Sequence, residues 1–228
     1  MRWPKWRWHG CNIVLAGSFF GKLNFGGAAL QAGPSLLNVF LAKLDSKGAH
    51  LHSAQFGDAG AHQYASEIAV DAQNNIVLGG YFSGKIGFGG GERSSKGGLD
   101  AYVATFDASG KYLWDRAFGD AADQWTWAVA VDAAKNVVVA GDFRGQASFG
   151  GATHVALGRD VFLAKYAPDG SYLWSSRHGD GAGQFVQTLA TNSGRQIIVA
   201  GWFDGKIGFG GAELSSDGAD IFLAILKP

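Results

Sequence analysis

Residues Asn136–Gly151 read NVVVAGDFRGQASFGG: an apolar run, a Gly-x-Phe-x-Gly step, then an apolar-x-Phe-Gly-Gly step. The phrase recurs with its glycine at Gly17, Gly80, Gly141 and Gly201, at spacings of 63, 61 and 60 residues. Self-similarity at a period of this size marks a repeat fold whose units share a core. Residues 11–228 are therefore one array, preceded by an aromatic and basic segment over residues 1–10.

Outward from that phrase, each copy yields four kinds of short, alternating strand. The first kind is SEIAVD from Ser66, WAVAVD from Trp127 and QTLATN from Gln187. The second is NIVLAGSF from Asn12, NIVLGGYF from Asn75, NVVVAGDF from Asn136 and QIIVAGWF from Gln196. The third starts at Asn38, Asp100, Asp160 and Asp220, and the fourth at Ala49, Lys111 and Ser171. Corners such as DAQN, DAAK, DSKG and DASG join them. There Asp and Asn side chains hold backbone amides and Gly supplies a positive φ, so consecutive strands are antiparallel neighbours. Between the second and third kinds, Leu23-x-Phe25, Ile86-x-Phe88, Ala147-x-Phe149 and Ile207-x-Phe209 predict a further short strand ending in a bulge or turn, followed by a loop.

A single four-stranded unit does not stand alone. Ordering each residue costs ~1–2 kcal/mol of backbone entropy, while each large buried apolar side chain returns ~1.5–3 kcal/mol. The second and third strands have the composition of strands covered on both faces. Radial stacking of such sheets as blades of an all-β propeller meets that need.

The pattern GD-x(5–7)-A-x-AVD-x-x-x-N-VVVAG, followed by GG-x-D-A-Y-V-A-x-x-D-x-x-G, resembles the bacterial β-propeller repeat often called the SBBP repeat, over nearly all of residues 11–228. The resemblance implies a propeller in a secreted or cell-envelope bacterial protein, usually without an assigned activity. This chain departs from it in showing no secretory signal in MRWPKWRWHG and in opening partway through a repeat.

Counted from the sequence, the strands make about three and a half blades. Three readings stand open. KWRWHG at Lys5–Gly10 imitates YLWSSRHG at Tyr172–Gly179, so it is a candidate closing strand for the last blade. Alternatively, two chains pair as a homodimer that completes a seven-bladed ring. The third reading is a fragment of a longer propeller.

Composition narrows the function. Lys plus Arg and Asp plus Glu number 19 each, so the basic stripe that nucleic acid requires is missing. No apolar run approaches the ~20 residues of a membrane-spanning helix. The lone Cys11 rules out an internal disulfide framework and a multi-thiolate zinc site. There is no cofactor fingerprint, P-loop, HExxH or nucleophile-elbow motif, so neither a cofactor, a metal nor a catalytic set is assigned.

One recurring pair stands out: Gln63-Tyr64, Gln124-Trp125 and Gln184-Phe185, a glutamine followed by an aromatic at the head of the first strand. An aromatic platform beside an amide suits a sugar ring, while inter-blade packing explains the same residues structurally. A second group is the variable slot inside Gly-x-Phe, held by Ser18, Tyr81, Asp142 and Trp202. Asp142 and Trp202 join the Gln-aromatic pairs as candidate ligand-binding residues, for a carbohydrate or a protein. The resulting expectation is a non-catalytic binding or scaffolding propeller. The alternative is a hydrolase or lyase with a polar site at the channel mouth.

Overall fold

The structure, a computed structural model, describes residues 5–9, 12–58 and 60–227, with backbone alone for 5–9. Its principal strands form three antiparallel sheets of four strands and one of three. The first sheet runs Lys5–His9, Asn12–Phe19, Asn38–Leu44, His50–Phe56. The second runs Gln63–Val70, Ile76–Phe82, Asp100–Phe106, Tyr112–Phe118, and the third Gln124–Val131, Val137–Phe143, Asp160–Tyr166, Tyr172–His178. The fourth holds Gln184–Thr191, Ile197–Ile207 and Leu214–Leu226. This is the blade arrangement of a β-propeller, with the four sheets stacked face to face in chain order.

The corners follow from their side chains. Asp71 Oδ1 accepts the amides of Gln73 and Asn75 at 2.8 Å, and Asp132 Oδ1 accepts those of Ala134 and Asn136 at 2.8 and 2.9 Å. That grip leaves Asn74 and Lys135 in the left-handed region at φ 65° and 66°. Each insertion between second and third strands is a small hairpin, such as Lys85–Gly87 against Glu92–Ser94, so the expected short strand is joined by a second one. Its phenylalanine folds back onto the third strand: Phe25 on Phe40, Phe88 on Tyr102, Phe149 on Phe162 and Phe209 on Phe222, with ring centroids 5.1, 4.9, 4.3 and 5.1 Å apart.

The repeated glycine of Gly-x-Phe has a specific cause. The first strand carries a bulge after Ala65, Thr126 and Val186. The bulge pushes the carbonyls of Tyr64, Trp125 and Phe185 onto Gly80, Gly141 and Gly201, where any Cβ would overlap the oxygen. In the second sheet, the Tyr102 hydroxyl donates to the Tyr64 carbonyl at 2.9 Å.

Three apolar layers hold the stack. Val39 and Leu41 of the first sheet meet Ile68, Ile76 and Leu78 of the second. Ala101 and Val103 meet Val129, Val137 and Val139 of the third. Val161 and Leu163 meet Leu189, Ile197 and Val199 of the fourth.

The closing-strand reading of residues 1–10 is corrected for Lys5–His9, and its other residues lie outside the described ones. Lys5–His9 pairs with Asn12–Phe19, from Lys5↔Ala16 to His9↔Asn12, and so takes the first-strand place of the first sheet. Joining sequence neighbours closes a far smaller loop than reaching the last sheet would, at less entropic cost. Among the described residues the fourth sheet thus keeps three strands, and the principal sheets number four where the strand count suggested three and a half.

Candidate functional site

The first strands of the second, third and fourth sheets each open with a fully buried glutamine, Gln63, Gln124 and Gln184. Gln124 Nε2 donates to Asp120 Oδ1 at 2.9 Å and to the Arg144 carbonyl at 3.1 Å, while its Oε1 accepts the Asp120 amide. Gln184 repeats this with Asp180 and the Asp204 carbonyl at 2.8 and 2.9 Å. Gln63 makes longer versions to Asp58 and the Ser83 carbonyl, at 3.3 and 3.4 Å. These amides therefore clamp the Gly-Asp turn to the neighbouring hairpin and lie away from solvent, which removes them from the ligand-contacting set proposed on sequence.

Strand alternation turns the next residue the other way. Tyr64 pairs across with Tyr81, Trp125 with Asp142 and Phe185 with Trp202, so the two sequence-selected groups are cross-strand partners at one end of the stack. The rings form a row. Tyr64 stacks on Tyr81 at 4.7 Å and on His62 at 5.9 Å, and Tyr81 meets the edge of Trp127 at 5.3 Å. Phe185 lies flat on Trp202 at 3.6 Å.

Arg159 ties the row together, and sequence reasoning missed it. Its guanidinium sits 4.0 Å from the Trp125 ring and 4.2 Å from Phe185, and its Nε donates to Asp142 Oδ2 at 2.5 Å. Its carbonyl accepts the Gln184 amide at 2.7 Å, linking the third sheet to the fourth. A signal was present. The residue before the third strand is Leu37, Leu99, Arg159 or Ala219, and its one cation occurs in the copy whose variable slot holds Asp142. Burial pushes the Asp142 carboxyl up to about 6, against the pull of Arg159 and a hydrogen bond from Trp127.

The consequence for sugar binding is geometric. A platform needs a free ring face, yet Arg159 covers Trp125, and Phe185 is held between Arg159 and Trp202. Trp202 and Tyr64 retain partial exposure. Beside Tyr64 and Tyr81, between the first and second sheets, a cleft of about 620 Å³ opens, lined also by Ser18, Phe20, Leu37 and His62. Phe20 is 61% exposed at its rim.

The opposite end is polar. The corners around Asp71, Asp132, Lys135 and Asn192 border an opening of about 340 Å³. There Lys165 Nζ pairs with Asp132 Oδ2 at 2.8 Å, both side chains nearly inaccessible. Against the cost of burial, Lys165 and Asn136 hold the Asp132 carboxyl below its usual range. Among the described residues, no three His, Cys, Asp or Glu side chains gather as a metal set.

No protein-family model matches the chain. It is 21% identical over 195 residues to an uncharacterized WD repeat-containing protein of Acanthamoeba polyphaga mimivirus, an alignment taking in 72% of this chain. The chain spans 14% of the length of that relative. This similarity to a repeat protein agrees with the blade architecture.

Proposed function

We propose that this chain is a non-catalytic binding or scaffolding part of a β-propeller protein, and that it holds an apolar segment of a partner protein in the cleft between its first two sheets. The observation that carries the reading is the lining: Phe19, Phe20, Leu37, Tyr64 and Tyr81, with Ser18, Ser35 and His62 as the polar neighbours. Concave, mainly apolar sites with a few polar groups are the usual form of a binding pocket. The similarity to a WD repeat-containing protein is compatible with such a role. The SBBP-type motif alone supports the further reading of a bacterial exported or cell-surface protein.

The alternative, a hydrolase or lyase site at the mouth, has less support. Asp142 there is fully buried and committed to Arg159, while Asp120 and Asp180 are occupied by backbone amides and glutamine. A carbohydrate ligand would rely on the outer face of Trp202, which lies in the fourth sheet, away from the cleft.

Panning a phage-displayed peptide library against the full chain, with a glycan array in parallel, tests the reading. Enrichment of aromatic or aliphatic peptides that Leu37→Asp and Tyr64→Ala abolish, with the circular dichroism unchanged, is the expected result. Peptides insensitive to both substitutions, or glycan retention lost in Trp202→Ala, would overturn it.

A further inference from the structure

The third strands of the first three sheets hide two apolar side chains each: Val39 and Leu41, Ala101 and Val103, Val161 and Leu163, all with no exposed surface. The next sheet covers them every time. In the fourth sheet the same positions are Ile221 and Leu223, 81% and 67% exposed, followed by Ile225 at 58%. Two residues past the second apolar position, the earlier sheets carry Lys43, Thr105 and Lys165, which bond the Ala108 carbonyl, the Trp114 carbonyl and Asp132 respectively. Ile225 replaces them with an aliphatic chain, so this outer face is more apolar than the faces inside the stack. A repeat that meets water carries a polar outer surface.

The edge is open as well. In the other sheets a fourth strand pairs with the third, whereas Leu214–Leu226 pairs only with Ile197–Ile207 among the described residues. An uncovered face and edge together form an association surface.

The chain itself indicates what covers such a face. Its three internal interfaces use the second-strand pairs Ile76/Leu78, Val137/Val139 and Ile197/Val199 as the receiving surface. The equivalent pair in the first sheet, Ile13/Leu15, is half-buried, and Leu15 packs beside Phe40 and Ala42. We infer that the Ile221/Leu223/Ile225 face docks head to tail on the Ile13/Leu15 face of a second copy, in the register of the internal interfaces. Because the two surfaces differ, the contact is heterologous: two copies that close make a ring of eight sheets, and copies that do not close extend further. The inference stands apart from the ligand proposed for the cleft.

Light scattering on size-exclusion fractions of the full chain is expected to give a mass twice that of the chain, falling on dilution. Ile221→Lys/Leu223→Lys and Ile13→Lys, each checked by circular dichroism, are expected to be monomeric alone. Mixed one to one they regain a dimer, because each supplies the surface the other lacks. If Ile13→Lys fails to fold, concentration-dependent amide protection of Ile221–Leu226 in the unaltered chain replaces that arm. A chain monomeric at every concentration, or variants that stay monomeric when mixed, would overturn the inference. A self-paired Ile221 face would leave Ile13→Lys dimeric, and that result also overturns it.

Discussion

Gly141 lies directly beneath the carbonyl of Trp125, with no room for a side chain between them. The contact joins the bulged first strand to the second, and Gly80 under Tyr64 and Gly201 under Phe185 repeat it. In these three copies the repeated glycine is thus a consequence of the bulge that aims the aromatic row.

Gly141→Ala is accordingly expected to destabilise by about 1–3 kcal/mol, the range for forcing extra atoms into a packed site. Gly181 has open space around its would-be Cβ, and Gly181→Ala is expected to stay within about 0.5 kcal/mol. Urea unfolding monitored by tryptophan fluorescence measures both. Equal effects would remove the steric explanation.

Arg159→Met leaves Asp142 without its cation while still shielded from water. Breaking a buried pair on one side costs about 3–5 kcal/mol, so a loss of that order is expected. The double variant Arg159→Met/Asp142→Asn is expected to recover most of it in the same urea experiment. A double variant no more stable than Arg159→Met would mean that the guanidinium acts through its stacking on Trp125 and Phe185 rather than through Asp142.

Asp100 supplies the pH dependence. Burial pushes its carboxyl up to about 6, only partly offset by the Lys96 amide. The equivalent residues are a neutral Asn38, an Asp160 paired with Arg177, and a solvent-exposed Asp220. Since the folded value lies above the ordinary one of 3.8, the folded state binds the proton more tightly. This group's contribution to stability is therefore greatest below pH 4 and falls as pH rises toward and through 6. Asp100→Asn is expected to raise stability at pH 7 by about 1–3 kcal/mol, the upper end being what a rise from 3.8 to about 6 is worth. Thermal melts should show that advantage vanishing below about pH 4. A variant that is less stable at pH 7, or equally stabilised at every pH, would contradict this assignment.

Much of the fold was legible because its signals are local and repeated. Asp-led corners, second strands apolar on both faces and the Gly-x-Phe spacing each report on residues close in sequence. The aromatic row was legible in part, since the residue after each glutamine and the variable slot turned out to be cross-strand partners. Arg159 escaped because its meaning depends on Asp142, 17 residues earlier, and on rings from two sheets. Residues 5–9 misled because KWRWH looks like an outer strand while chain connectivity makes it an inner one. The glutamines suited either a sugar-binding amide or inter-blade packing on sequence, because nothing local reveals that Asp58, Asp120 and Asp180 draw them inward.

Amide hydrogen exchange by mass spectrometry, at high dilution so that the outer face stays uncovered, tests the stacked-blade account most directly. Ile76–Phe82 and Val137–Phe143 have neighbouring sheets on both faces and are expected to exchange slowest, through global unfolding alone. Leu214–Leu226, with an open face and edge, is expected to exchange fastest among the long strands. Protection of Leu214–Leu226 equal to that of the two central strands would contradict the order of sheets described here.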